Sequence, residues 1–311
     1  MRTSTLTAVA LAQLVSAATY DLKSYASGSN FVDSFYFIGG YNSTINGDMW
    51  NWWNSGDDFL ANVTTAKQKG MLTINASTGN VKLSVDTVPK VDYNMKRFSF
   101  RLESRKKYGF GTVFVFDAVH MPYGCGMWPA YWTTGESWPH GGEIDIMEQV
   151  NKRTNNQMVF HTDGQCILAP AEGSITGNVV LNDCMHKPTD NAGCATADPR
   201  NTSFGSGFND AQGGIYVTEF AETAISIWFF PRSGIPAGLD SKSNATTIDT
   251  ATFGPPATQL PNNAGCDLKS QFAEQKIIIN TSLCGNFAGE ADVLNASAAR
   301  SRQARAVIRP T

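Results

Sequence analysis

Charge is scarce in this sequence. Only 16% of the 311 residues are Asp, Glu, Lys or Arg, the formal balance is −3, and histidine occurs four times. With so few cations the chain has no electrostatic means of holding a polyanion, so nucleic acid is not expected as a partner. Long apolar runs are equally scarce. Beyond the first 18 residues nothing approaches the ~20 consecutive apolar residues of a membrane helix, and no membrane partner is expected. The short signatures of several other chemistries are missing too. There is no G-x-S-x-G elbow, no G-x-x-x-x-G-K-[ST] loop, no H-E-x-x-H helix and no C-x-x-C pair on which a zinc site would start.

The features that are present fit an exported all-β protein. Residues 1–18 read as a signal peptide: Arg2, an apolar stretch from Leu6 to Val15, then the small residues Ser16, Ala17 and Ala18. Six cysteines (Cys125, Cys166, Cys184, Cys194, Cys266 and Cys284) suggest disulfides, with 15 connectivities open. N-x-S/T triplets begin at Asn42, Asn62, Asn75, Asn201, Asn244, Asn280 and Asn295, and glycosylation is expected on some of them. Short runs rich in Val, Ile, Phe, Thr and Trp alternate with turn residues: Met71–Ile74, Val81–Val85, Phe98–Leu102, Thr112–Phe116, Ile144–Met147, Met158–His161, Ile225–Phe230 and Lys276–Ile279. That pattern predicts an antiparallel β-sandwich. Cys166–Arg200, Asn201–Gly214 and Arg232–Cys266 read as long loops pinned by disulfides. Glu290–Thr311, with six Ala, four Arg and no aromatic residue, reads as a disordered tail foreign to the domain over 19–289.

The chemistry-bearing segment is Trp138-Pro-His-Gly-Gly-Glu143-Ile-Asp145-Ile-Met-Glu148. Along a strand, Glu143 and Asp145 share one face and Ile144 and Ile146 the other. Glu148, five residues from Glu143, would fall on the apolar face, where a lone carboxylate is costly. A β-bulge at or near Met147 would return it to the acidic face. Glu143 and Glu148 would then stand ~13 Å apart at Cα and lean inward to ~5–6 Å between carboxylates, the spacing of a retaining glycosidase. Asp145 between them would hydrogen-bond the nucleophile and raise the acid's pKa by like-charge repulsion. Two rivals are a solvated acidic strand face and a divalent-metal site on the same three carboxylates.

Aromatics crowd this region. Trp128, Trp132 and Trp138 are candidate platforms for pyranose rings, against the ordinary reading of a tryptophan as core. Trp50, Trp52 and Trp53 read as packing. His161 closes an apolar run, and if the next strand pairs with the acidic one it is expected beside Glu148.

These residues also carry a resemblance. Glu143-Ile-Asp145-Ile-Met-Glu148 matches the E-x-D-x-x-E signature of glycoside hydrolase family 16, in its bulged, laminarinase-like branch. Gly124-Cys-Gly-Met-Trp-Pro-Ala-Tyr-Trp132 and Trp138-Pro-His-Gly-Gly142 are similar to fungal segments of that family. The resemblance covers roughly residues 20–288. It implies a concanavalin-like β-jelly roll with a substrate cleft. It also implies a secreted, retaining endo-β-glucanase acting on β-1,3 or mixed β-1,3/1,4-glucan by double displacement. Glu143 would be the nucleophile, Asp145 its assistant and Glu148 the acid/base. Trp132 and Trp138 would touch substrate, and His161 would neighbour the acid/base; Trp128 and Arg97 are further candidate substrate contacts. A cell-wall transglycosylase or a non-catalytic carbohydrate-binding sandwich are the alternatives. No cofactor and no catalytic metal are expected; a structural calcium ion is compatible with the fold but not readable from the residues. A monomer is expected. Two departures stand out. Arg97-Phe-Ser-Phe-Arg101 carries Phe98 where relatives have a polar residue. The C-terminus lacks the aromatic, β-branched strand that closes the sandwich in relatives, which leaves a sheet position open.

Overall fold

The computed structural model describes residues 19–39, 54–88, 90–92, 95–239 and 245–296. The leader over 1–18, Trp50, Trp52, Trp53, the sequons at Asn42 and Asn244 and the tail beyond 296 lie outside the described residues.

Two antiparallel sheets face each other. The larger runs β11 (Asn178–Leu181), β12 (Cys194–Ala197), β10 (Gln157–His161), β9 (Glu143–Glu148), β8 (Met127–Thr134), β17 (Lys276–Leu283), β6 (Phe98–Ser104) and β2 (Phe35–Phe37), with β3 (Phe59–Leu60) added parallel to β6. The smaller runs β16 (Thr258–Pro261), β14 (Ala224–Pro231), β13 (Gly214–Phe220) and β7 (Thr112–Ala118). Two marginal pairs complete the set: β1 (Thr19–Asp21) with β15 (Thr247–Asp249), and β4 (Leu72–Ile74) with β5 (Val81–Leu83). This is the predicted sandwich, and every run read as a strand lies wholly or mostly within one.

Alternation explains the layering. Ile225, Ile227 and Phe229 of β14 point between the sheets and meet Tyr131, Ile144, Met158 and Phe160 of the larger one. The intervening Trp228 and Phe230 lie on the outer face, under a cover that includes Leu239, Ile248 and Phe253. The expected long loops carry more structure than their composition suggests. Strands β11 and β12 fall inside 166–200, a helical turn (Gly205–Asp210) inside 201–214, and β15 and β16 inside 232–266. All four residues of β11 are exposed, so no apolar alternation marks it.

Disulfides Cys166–Cys266 and Cys184–Cys194 tie these segments down, while Cys125 and Cys284 are free thiols. Asn280 is 3% exposed and accepts a hydrogen bond from Trp132, so its sequon is closed to glycan on the folded chain. At the end of the smaller sheet β7 exposes Val115, and among the described residues no strand pairs with its outer edge. Residues 291–296 are helical.

Candidate active site

Strand β9 begins at a turn that only glycine fits. Gly142 has φ +70°, and a β-carbon there would lie 2.4 Å from the Phe272 ring. From this start Ile144, Ile146 and Met147 are all fully buried in the inter-sheet core. The register shows how two consecutive residues can both point inward. On one side Asp145 pairs with Val159 and Glu148 with Gln157; on the other Asp145 pairs with Trp132 and Glu148 with Ala130. Against either neighbour β9 has one residue extra between Asp145 and Glu148. That is the bulge expected from the five-residue spacing, and it sits at Ile146–Met147.

A bulge frees backbone groups that a ladder would pair, and Asn156 takes up two of them. Its Nδ2 donates to the Ile146 carbonyl at 2.8 Å, and its Oδ1 accepts from the Glu148 amide at 3.0 Å. Asn156 has no exposed surface, and its own amide donates to Ser203 Oγ. The register that presents Glu148 is therefore clamped from beneath.

The outer face of the sheet now carries Glu143, Asp145 and Glu148 together. Carboxyl oxygens of Glu143 and Asp145 lie within 4.8 Å of each other. His161 lies across from Glu143 in register, with Nε2 3.3 Å from Asp145 Oδ2 and 3.7 Å from Glu143 Oε1. This corrects the expectation of His161 beside Glu148: in the antiparallel pair, Gln157 is opposite Glu148 and His161 falls at the other end. Trp128 Nε1 donates to Glu148 Oε1 at 2.7 Å, and its ring meets Phe287 edge-on at 5.4 Å.

All three carboxyls are pushed above the ordinary range, first by burial. The negative charge of Asp145 adds to the rise at Glu143, while a positive charge on His161 opposes it. Glu148 raises Asp145 further. The Trp128 bond holds Glu148 down in part. Such a cluster does not ionise fully. Glu143, Asp145 and His161 also bring donor atoms within 4.8 Å of one another, the one group among the described residues with a metal-site geometry.

The remaining candidates separate. Trp132 is buried, donates to Asn280 Oδ1 at 2.7 Å and lies under the Arg101 guanidinium at 5.1 Å. Trp138 is 41% exposed and meets His186 edge-on at 4.7 Å. Arg97 donates to the carbonyls of Asp86 and Val88, bracing that loop. Arg101, not Arg97, reaches the site: it pairs with Glu103 at 2.9 Å, bonds Asn54 and feels the charge of Glu143. The alternation in Arg97-Phe-Ser-Phe-Arg101-Leu-Glu103 puts both arginines on one face. Pairing with β17 singles out Arg101, which lies opposite Asn280, itself opposite Ala130 and so in line with Glu148.

Comparison with known proteins fits this geometry. Residues 53–309 match a family model described as the XgeA-like catalytic domain of glycoside hydrolase family 16, a match that runs through most of the compositionally distinct tail. A probable glycosidase of Schizosaccharomyces pombe is 35% identical over 275 residues, 88% of this chain and 61% of that one. A probable endo-1,3(4)-β-glucanase of Aspergillus fumigatus is 36% identical over 289 residues, 92% of this chain and 41% of that one. The chain thus spans less than two thirds of the length of these relatives. Among solved structures, laminarinase 16A of Phanerochaete chrysosporium, with β-glucans bound in donor and acceptor sites, has a TM-score of 0.79 at 35% identity and 90% coverage of both chains. An elongating family 16 β-1,3-glucosyltransferase has a TM-score of 0.75 at 34% identity, covering 86% of this chain and 84% of that one.

Proposed function

The chain belongs to glycoside hydrolase family 16, and from that premise we propose that it is a secreted, retaining endo-β-glucanase acting on β-1,3 or mixed β-1,3/1,4-glucan. The observation that carries this reading is the clamped bulge, which gives one sheet face two carboxyl groups of different surroundings five residues apart.

In the first step a carboxylate oxygen of Glu143 bonds to the anomeric carbon as the glycosidic bond breaks. Glu148, kept protonated by burial, gives its proton to the departing oxygen. In the second step Glu148 takes a proton from water, the water oxygen bonds to the same carbon, and the bond to Glu143 breaks. Glu143 has to be ionised to attack, against the rise that burial and the Asp145 charge impose on it. A positive charge on His161 would favour the ionised form of Glu143. Arg101 over Trp132 and the exposed Trp138 extend the face along which a glucan chain would lie. Two disulfides in the described residues support export, as does the leader-like N-terminus.

Proton NMR of the first product from laminarin tests the mechanism: a β-anomer is expected, and an initial α-anomer rules out the two-step route. A transglycosylase reading has its own support in the elongating glucosyltransferase relative. In that case a sugar hydroxyl replaces water in the second step, and products longer than the donor accumulate.

A further inference from the structure

We propose that Gly193, with the disulfide-closed loop that carries it, is the positioning device for His161, and through it for the nucleophile. This rests on the reading of Glu143 given above.

His161 sits at the end of β10 and is 7% exposed. A histidine that works beside carboxylates is ordinarily oriented by a hydrogen bond to its second ring nitrogen. Here Nδ1 is buried, and among the described residues nothing hydrogen-bonds it. Packing therefore sets the ring angle, and the backbone of Gly193 supplies that packing. Phe160 pairs with Cys194, which brings Gly193 alongside His161. A β-carbon on Gly193 would stand 2.8 Å from both Cε1 and Nδ1 of the ring and 2.7 Å from the Phe160 carbonyl. Its φ of +65° is a second reason for glycine. The ring is thus held between a bare backbone on one side and Asp145 and Glu143, at 3.3 and 3.7 Å, on the other.

The same loop grips the strand on both flanks of His161. Cys194 pairs with Phe160 on one flank. On the other, the Thr162 amide donates to the Cys184 carbonyl at 2.9 Å, and the His186 amide donates to the Thr162 carbonyl at 2.8 Å. The disulfide joins Cys184 to Cys194, so loop 184–194 forms a closed collar around His161. His186 of that collar touches the exposed Trp138, in the turn that leads into β9.

The test is a kinetic double-mutant cycle on laminarin. Gly193→Ala and the pair Cys184→Ala/Cys194→Ala are each made in the native and in the His161→Ala background, with melting temperature followed throughout. Displacing a positioned group by about 1 Å costs on the order of 10²-fold. A fall in kcat of roughly tenfold or more, with KM within about twofold, is therefore expected for Gly193→Ala. In the His161→Ala background the further loss should shrink below about twofold, because the group being positioned is gone. An unchanged kcat in the native background, or an equal loss in both, overturns the proposal. If Gly193→Ala does not fold, the cysteine pair run through the same cycle decides by the same criteria. Glu143→Gln is assayed alongside. If it keeps activity, the nucleophile assignment fails; if it is inactive while Gly193→Ala is normal, only the collar fails.

Discussion

Glu143 and Glu148 occupy the two ends of one short strand, yet their surroundings differ. The Glu143 end is crowded with titratable groups: the Asp145 carboxyl lies within 4.8 Å, and His161 Nε2 stands 3.7 Å from Glu143 and 3.3 Å from Asp145. The Glu148 end has a neutral donor, the Trp128 indole, backed by Phe287 from the helical turn Gly285–Ala288. One residue type thus acquires two chemical characters from its neighbours. In the proposed mechanism the first end must ionise to attack, while the second keeps a proton for the leaving group.

The sharpest way to break this comparison is azide rescue. Glu143→Ala and Glu148→Ala should each lose about 10³-fold or more on laminarin, and both are then assayed with an activated aryl β-glucoside as donor. Azide should restore both, but with opposite products. In Glu143→Ala it takes the nucleophile's place and gives the α-glucosyl azide. In Glu148→Ala it displaces the glucosyl group from Glu143 and gives the β-azide. The same anomer from both variants would dissolve the distinction between the two ends.

A smaller effect tests each end singly. Trp128→Phe keeps the ring but removes the donor that lowers Glu148's pKa. Glu148 should then stay protonated to higher pH. The alkaline limb of kcat/KM should move up, with about a tenfold loss at the optimum. At the other end Asp145→Asn addresses stability. The raised folded-state pKa of Asp145 means that its contribution to stability is full below the ordinary carboxyl value and is lost as pH climbs through the raised one. Asparagine does not titrate, so Asp145→Asn should raise Tm by roughly 2–4 °C at pH 7. The gain should vanish at about pH 3, where an ordinary aspartic acid is itself largely protonated. A pH-independent change in Tm would show that packing, not charge, governs that position.

This division of the strand was only partly legible in the sequence. The bulge followed from local arithmetic: a five-residue spacing between acids on a strand whose other face is Ile and Met. The sheet partner of each residue did not. His161 was expected at the wrong end of β9 because nothing near it states where the antiparallel register begins. Arg97 and Arg101 are equivalent by alternation, and only the pairing of β6 with β17 separates them. Asn156, which closes the bulge, and Gly193, which packs on His161, are a polar residue and a glycine in turn-rich segments. Their roles exist only once distant strands meet.

The smallest expected effect concerns the C-terminal segment, where two neighbouring pieces should behave differently. The turn Gly285–Ala288 is joined to the site: Phe287 packs on Trp128, and Asn151, whose Oδ1 accepts from Gly126, donates from Nδ2 to the Ala288 carbonyl. The helix over 291–296 leaves Val293 and Leu294 only half-buried, and the Leu294 amide bonds back to the Glu290 carbonyl within the segment itself. Half-burial of two aliphatic side chains stabilises by about 2 kcal/mol. Ordering six residues costs on the order of 6–12 kcal/mol in backbone entropy, largely offset by the helical hydrogen bonds that order them. The net contribution to the domain is therefore small. Truncation after Gly289 should leave kcat and KM unchanged and lower Tm by no more than about 2–4 °C. Truncation after Cys284 removes the Phe287 contact as well and should cut kcat severalfold by loosening Trp128 on Glu148. A large loss of activity from the first truncation would show that the segment beyond Gly289 is coupled to the acid/base end of the strand. Equal activity of the two truncations would instead remove Phe287 from its supporting role.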